Sequence, residues 1–336
     1  MLYIRTDMNE TIATGHMMRC LSIADAAKKQ GQETVFLVAD AQAQELLKKR
    51  GYAYRILGSD WNDMEAELPI LLETVKKLQI KRLLIDSYRV TPAYLDQLSA
   101  AVKTYYIDDL NAFLYPVHGL ICYANYWKSC GYPARYPKTE LYLGLKYVPL
   151  REAFAGCEKK TIRLKVKNLL LMSGGSDPCD MTLKILGRLH KAAYEEIHVI
   201  CGRYHTKYHD LCKMSLRYPN LHIHKAVDDI ETYMKRADLA VSAGGTTLYE
   251  LCAVGTPAIS YSFADNQLEN VRNFDKEGII EYAGDARKQD AAFHIAAMLE
   301  RYHADAALRR ERSERMQDLV DGTGAGRIAE VLAEGI

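Results

Sequence analysis

The sequence predicts an α/β protein of two doubly wound domains, and three observations carry that expectation. Its 336 residues exceed one ordinary core and suit two domains of roughly 150 residues each. In the first half, short aliphatic or β-branched runs alternate with helical patterns, as βαβ units around a parallel sheet require. The second half then restarts the same order of strand, glycine turn and helix.

Leu2-Tyr3-Ile4 reads as the first strand. Met17, Cys20, Leu21, Ala24 and Ala27 then share one helical stripe that stops at Gly31, a C-terminal cap. Thr34–Val38, Tyr52–Leu57, Arg82–Ile85 and Thr104–Ile107 give four more strands, and Thr91-Pro92 starts a helix well. Residues 111–154 are irregular and rich in Tyr, Pro and Gly, and are expected to be loops and a crossover. A boundary near Gly156 divides a domain over 1–155 from one over 156–336, with a return of the last helices onto the first domain allowed for. Leu169–Met172 opens the second half, followed by Ser173–Pro178 and a helical stretch through Leu189. Ile197–Cys201, Leu221–Ile223, Leu239–Val241 and Tyr261–Phe263 continue its sheet. The C-terminus from Ala304 is helical and breaks at Asp321–Gly324 before a short last helix.

Composition excludes several functions. A net charge of +1, with acids and bases interleaved, leaves no footprint for nucleic acid. No run approaches the roughly 18 apolar residues of a membrane span, and no signal peptide is legible, so the cytoplasm is the expected compartment. The eight cysteines include no C-x-x-C pair and are expected to be reduced core thiols. The 23 tyrosines are read as replacing the scarce Phe. His205 with His209, and His222 with His224, have spacings that can hold a metal, but acids or cysteines at ligand spacing are lacking and both pairs are read as solvated or core residues. A G-x-S-x-G elbow and a P-loop are both missing.

The chemistry concentrates in three turns. A helix N-terminus has up to four unpaired N–H groups and about half a positive charge, so glycines there admit a phosphate. Gly174-Gly175-Ser176 and Gly244-Gly245-Thr246-Thr247 both fit, and two such turns in one half suggest a diphosphate. Glu250, one helical turn beyond Thr246, is placed to accept two ribose hydroxyls. In the first half, Ala13-Thr14-Gly15-His16 puts an imidazole at a helix start, where the dipole favours its neutral, basic form. The alternative is a histidine that caps the helix or packs on Met18. Arg19, one turn on, is a partner for a phosphate or for Asp7. Asp86 and the pair Asp108-Asp109 end strands, where ligands of open α/β sheets bind. Asp265-Asn266-Gln267 ends another, with amides suited to sugar hydroxyls.

Ile4-Arg5-Thr6-Asp7 followed by Thr14-Gly15-His16-Met17-Met18-Arg19-Cys20-Leu21 resembles the opening of the UDP-sugar hydrolases of pseudaminic acid biosynthesis, a family that includes spore-coat polysaccharide biosynthesis proteins. The resemblance continues through Ile85–Tyr88, Ile107–Leu110, Tyr147–Arg151, Gly174–Pro178 and Ser242–Leu251. It implies the GT-B-like fold of the peptidoglycan glycosyltransferases: two Rossmann-like domains facing a cleft, with nucleotide on the C-terminal one. It also implies that His16 is the general base, that Asp86 and Tyr88 line the sugar side, that Glu250 holds the ribose, and that the glycine turns hold the diphosphate. Gly15, Arg19, Asn125, Asn266 and Gln267 complete the expected sugar contacts. The chain departs from the family at Ala13, usually glycine, and at Ala226-Val227-Asp228-Asp229, which replaces an asparagine-containing stretch near the base. Either Asp228 or the backbone of Val227 then reads the base. The expected function is hydrolysis of a UDP-linked deoxyamino sugar with inversion, without cofactor or metal. A glycosyltransferase using a UDP-sugar donor and a non-catalytic sugar-nucleotide-binding protein are the alternatives.

Overall fold

A computed structural model describes residues 1–12, 14–288 and 290–333. Ala13, the departure noted in the histidine turn, lies outside the described residues. The chain forms two compact units, one of residues 1–152 with 322–336 and the other of residues 153–321.

The first unit runs β1 (Leu2–Thr6), α1 (Gly15–Lys29), β2 (Thr34–Val38), α2 (Gln44–Arg50), β3 (Ala53–Ile56), α3 (Met64–Lys77), β4 (Arg82–Asp86), α4 (Pro92–Ala101), β5 (Lys103–Ile107), β6 (Gly119–Cys122), α5 (Tyr132–Arg135) and β7 (Glu140–Leu143). The predicted stripe of α1 is buried, and Gly31 takes the left-handed conformation just past its end. At α4, Pro92 occupies the first turn and the Thr91 hydroxyl accepts from the Tyr94 amide at 3.1 Å. The all-parallel strand order is 3-2-1-4-5-6-7. Residues 111–154 therefore correct the expectation of loops, since β6 and β7 both lie there. Each strand has only four residues, too few for a periodic signal among the surrounding Tyr, Pro and Gly.

The second unit comprises β8 (Asn168–Met172), α6 (Met181–Arg188), β9 (Glu196–Cys201), α7 (Tyr208–Ser215), β10 (Leu221–Lys225), α8 (Ile230–Arg236), β11 (Leu239–Ala243), α9 (Thr247–Val254), β12 (Ala258–Ser262), α10 (Asp265–Lys276), β13 (Glu281–Asp285), α11 (Ala291–Ala304) and α12 (Ala306–Leu319). Its parallel order is 10-9-8-11-12-13. The division falls between Glu152 and Ala153, before Gly156. The last helix, α13 (Gly324–Ala333), belongs to the first unit and packs on α1. Burying Ile328 and Leu332 gives it that attachment.

Both sheets reverse direction of growth once, between β1 and β4 in the first unit and between β8 and β11 in the second. Crevices at such switch points, outside the strand carboxyl ends, are where open α/β sheets bind ligands. Thr6 pairs with Asp86 across the first, and Met172 with Ser242 across the second.

Candidate active site

At the switch point of the first unit, α1 starts at Gly15 and presents His16 in its first turn. His16 is buried, and its Nε2 has no hydrogen-bond partner among the described residues. That nitrogen lies 3.9 Å from Asp86 Oδ1. The imidazole meets the Tyr88 ring edge-on, with centroids 4.4 Å apart. Burial holds His16 below the ordinary histidine pKa, with Asp86 opposing and Arg19 assisting. Burial thus favours the neutral, basic form.

Asp86, at the end of β4, is fully buried, and both of its oxygens are engaged. Arg19 Nε donates to its Oδ2 at 2.6 Å, Arg19 Nη2 donates to Oδ1, and the Cys20 thiol donates to Oδ2 at 3.4 Å. Burial would raise this carboxyl, but Arg19 and His16 outweigh burial and keep it below the usual range. Arg19 Nη1 reaches Asp109 Oδ2 at 2.8 Å and Tyr123 OH at 2.5 Å. Tyr88 OH donates to the same Asp109 oxygen at 2.9 Å, and burial with Asp109 raises the phenol, keeping it a donor. Arg19 thus pairs with Asp86 and Asp109 instead of Asp7. Of the predicted acid pair, only Asp109 joins this network. Asp108 is fully buried, accepting from the Leu110 and Asn111 amides and from the Tyr115 and Tyr132 hydroxyls.

A cavity of about 240 Å³ opens here, lined by Asp7, Ile12, His16, Trp61, Tyr88 and Arg89 over Asp86. Sequence reasoning missed Trp61, Arg89 and the role of Asp7. Asp7 could have been found, because it follows β1 as Asp86 ends β4, under the same strand-end rule. Behind Asp7, the fully buried Arg5 donates to Asp7 Oδ2 at 2.5 Å and to both oxygens of Glu67, at 2.6 and 2.5 Å. Of the other predicted contacts in this unit, Gly15 is exposed and Asn125 is buried in the segment after β6.

In the second unit, the two glycine turns follow β8 and β11. Gly174 takes φ +75°, and a Cβ on Gly202 would stand 2.4 Å from the carbonyl oxygens of Gly174 and Gly175. The Tyr204 amide donates to Gly175 O at 3.1 Å. Contrary to the order of strand, glycine turn and helix expected from sequence, this turn does not open a helix directly. α6 begins only at Met181, and the Met181 and Thr182 amides donate to the Asp177 carboxylate at 2.8 and 2.9 Å. His205, read as solvated or core, is buried beside that carboxylate at 3.4 Å.

The turn after β11 does lead straight into α9 at Thr247. A Cβ on Gly244 would fall 2.2 Å from Val271 Cγ1, so packing of α10 demands glycine there. Around Gly245 a Cβ would meet nothing within 4 Å. Ser176, Thr247, Glu250 and Val227 are half-buried, while Thr246 and Asn266 are exposed. Gln267 uses its Oε1 to accept from the Phe263 amide at 3.0 Å. His222 and His224 flank a third histidine, His198, whose Nδ1 is 3.1 Å from His224 Nε2. The eight cysteines are free, and four of them are buried.

Residues 169–319 match the glycosyltransferase family 28 C-terminal domain. An uncharacterized protein of Methanocaldococcus jannaschii is 24% identical over 316 residues, covering 90% of this chain and 61% of that protein. The spore coat polysaccharide biosynthesis protein SpsG of Bacillus subtilis is 25% identical over 203 residues, 58% of this chain and 59% of SpsG. The chain thus spans about three fifths of the length of these two relatives. A Helicobacter pylori protein named pseudaminic acid cytidylyltransferase and UDP-2,4-diacetamido-2,4,6-trideoxy-beta-L-altropyranose hydrolase is 28% identical over 144 residues, 42% of this chain and 25% of that protein. Among solved structures, MurG of Acinetobacter baumannii superposes with a TM-score of 0.71 at 11% identity, covering 99% of this chain and all of MurG. That likeness shows the GT-B fold. Among the described residues, no helix is long and apolar enough to cross a membrane.

Proposed function

We propose that the chain hydrolyses a UDP-linked deoxyamino sugar at its anomeric carbon, with His16 as general base. One observation carries this reading: a buried, neutral imidazole whose unpaired Nε2 sits beside an ionised carboxylate at the edge of a cavity of about 240 Å³. His16 Nε2 takes a proton from a water molecule as the water oxygen bonds to the anomeric carbon. The bond from that carbon to the diphosphate oxygen breaks on the opposite face, its electron pair leaves with UDP, and the configuration inverts. Asp86, pinned by Arg19, stabilises the imidazolium that forms. Diphosphate is already a good leaving group, so the glycine turns of the second unit need chiefly to hold its developing charge, with Glu250 on the ribose. Similarity to the H. pylori protein, whose name includes a UDP-sugar hydrolase of pseudaminic acid chemistry, supports this reaction, and similarity to SpsG supports a place in polysaccharide synthesis.

The second reading is a glycosyltransferase in which His16 activates an acceptor hydroxyl, and the match to a glycosyltransferase C-terminal domain favours it. Incubating the full chain with UDP-linked diacetamido sugars and no acceptor separates the two. Hydrolysis predicts UDP release, and His16→Ala is expected to lower kcat by about 10²- to 10⁴-fold with KM little changed. An unimpaired His16→Ala variant removes the base from this mechanism.

A further inference from the structure

Resting on the UDP-sugar reading of the cavity, we infer that Asp7 contacts the substrate, its carboxylate accepting a hydrogen bond from a sugar hydroxyl or amide N–H. Arg5 and Glu67 are the positioning residues that hold it there. Two carboxylates bound the cavity from neighbouring strands, and their states differ. Asp86 is closed, both oxygens being taken by Arg19 and one also by Cys20, and its side chain is wholly inaccessible. Asp7 is open. Its Oδ1 accepts from the Ala39 amide at 2.8 Å and its Oδ2 from Arg5, which leaves about two of a carboxylate's roughly four acceptor sites. Its side chain keeps 8% exposure, and Asp7 lines the cavity alongside His16 and Tyr88.

The support behind Asp7 is a costly one. Arg5 and Glu67 are wholly buried, with Ser59 OH at 2.6 Å and Tyr94 OH at 3.4 Å completing Glu67. One guanidinium therefore serves two carboxylates, and Asp7 receives only part of its compensation. Buried charges persist when every partner is supplied, and the donor missing from Asp7 is one that a substrate can bring. Burial pushes the Asp7 carboxyl up despite Arg5, as expected for an under-compensated acid. With Asp7 and Asp86 both lining it, this side of the cavity favours sugars that present hydrogen-bond donors there.

Calorimetry on the full chain tests this through the sugar increment, the ratio of the dissociation constant of UDP to that of UDP-N-acetylglucosamine. Asp7→Asn and Asp7→Ser are expected to reduce the increment about 10- to 100-fold while UDP alone binds as in the wild type, which also reports an intact fold. If neither variant folds, the wild type decides with the 2-, 3- and 4-deoxy counterparts of the sugar, one of which must lose the increment by a similar factor. An increment that survives both substitutions, or no loss on any deoxy sugar, overturns the assignment. A wild type without any increment overturns it too. Sugar binding that depends on Asp7 without turnover contradicts the hydrolase and leaves the Asp7 contact standing, whereas turnover with an unaffected increment does the reverse.

Discussion

Among single residues, His16 was legible because Thr14-Gly15-His16 places an imidazole at a helix start that follows a strand. Its surroundings were not, since they depend on which strands become neighbours. Only the pairing of β1 with β4 brings Asp86 beneath it, and only the path after β5 separates Asp109 from Asp108. The pH dependence follows from burial. The folded chain resists protonating His16 near pH 6.5, so the base form persists below that value. kcat/KM is expected to be flat from pH 8 down to about 6.5 and to fall only below it, a profile that a limb above pH 7 would contradict. Stability carries the matching sign. The unfolded chain takes up a proton at about pH 6.5 while the folded chain does not, so the contribution of neutral His16 is lost as pH falls through that window. Asp86→Asn removes one partner of a buried ion pair and is expected to cost about 3 kcal/mol in denaturant unfolding. A loss below about 1 kcal/mol would show Arg19 content with Asp109 and Tyr123 alone.

Secondary-structure elements were legible where a short aliphatic or β-branched run stood between helical patterns, as at Leu2–Ile4 and Arg82–Ile85, or where a helix carried a full stripe, as α1 does. β6 and β7 escaped because their four-residue runs lie in a stretch crowded with Tyr, Pro and Gly, and β13 because Glu-Tyr-Ala-Gly-Asp lacks an apolar alternation. Both glycine turns were seen, but not that Asp177 claims the first amides of α6. The glycines divide by what surrounds them. Gly202→Ala drives a Cβ into backbone oxygens that cannot move aside and is expected to destabilise the chain by at least about 2 kcal/mol. Gly245→Ala meets open space, so its unfolding free energy should stay within about 0.5 kcal/mol of the wild type. If the turn holds diphosphate, that variant nevertheless weakens UDP binding at least about tenfold by calorimetry. Unchanged UDP affinity would move the diphosphate elsewhere.

For the molecule as a whole, two α/β units were predictable from length and from the restart of the pattern at Leu169. The assignment of α13 to the first unit is a matter of tertiary packing, which periodicity does not report. Deleting residues 324–336 exposes the buried partners of Ile328 and Leu332 and is expected to cost the first unit about 3 to 6 kcal/mol. Turnover should then fall in a thermal titration well before UDP binding does. Isotope placement tests the hydrolytic reading most directly. Wild-type chain is incubated with a UDP-linked diacetamido sugar in ¹⁸O-water without acceptor, and products are read by mass spectrometry before the free sugar exchanges with solvent. Attack at carbon predicts one ¹⁸O in the released sugar and none in UDP. Label in UDP, or UDP release only when an acceptor is added, would contradict it.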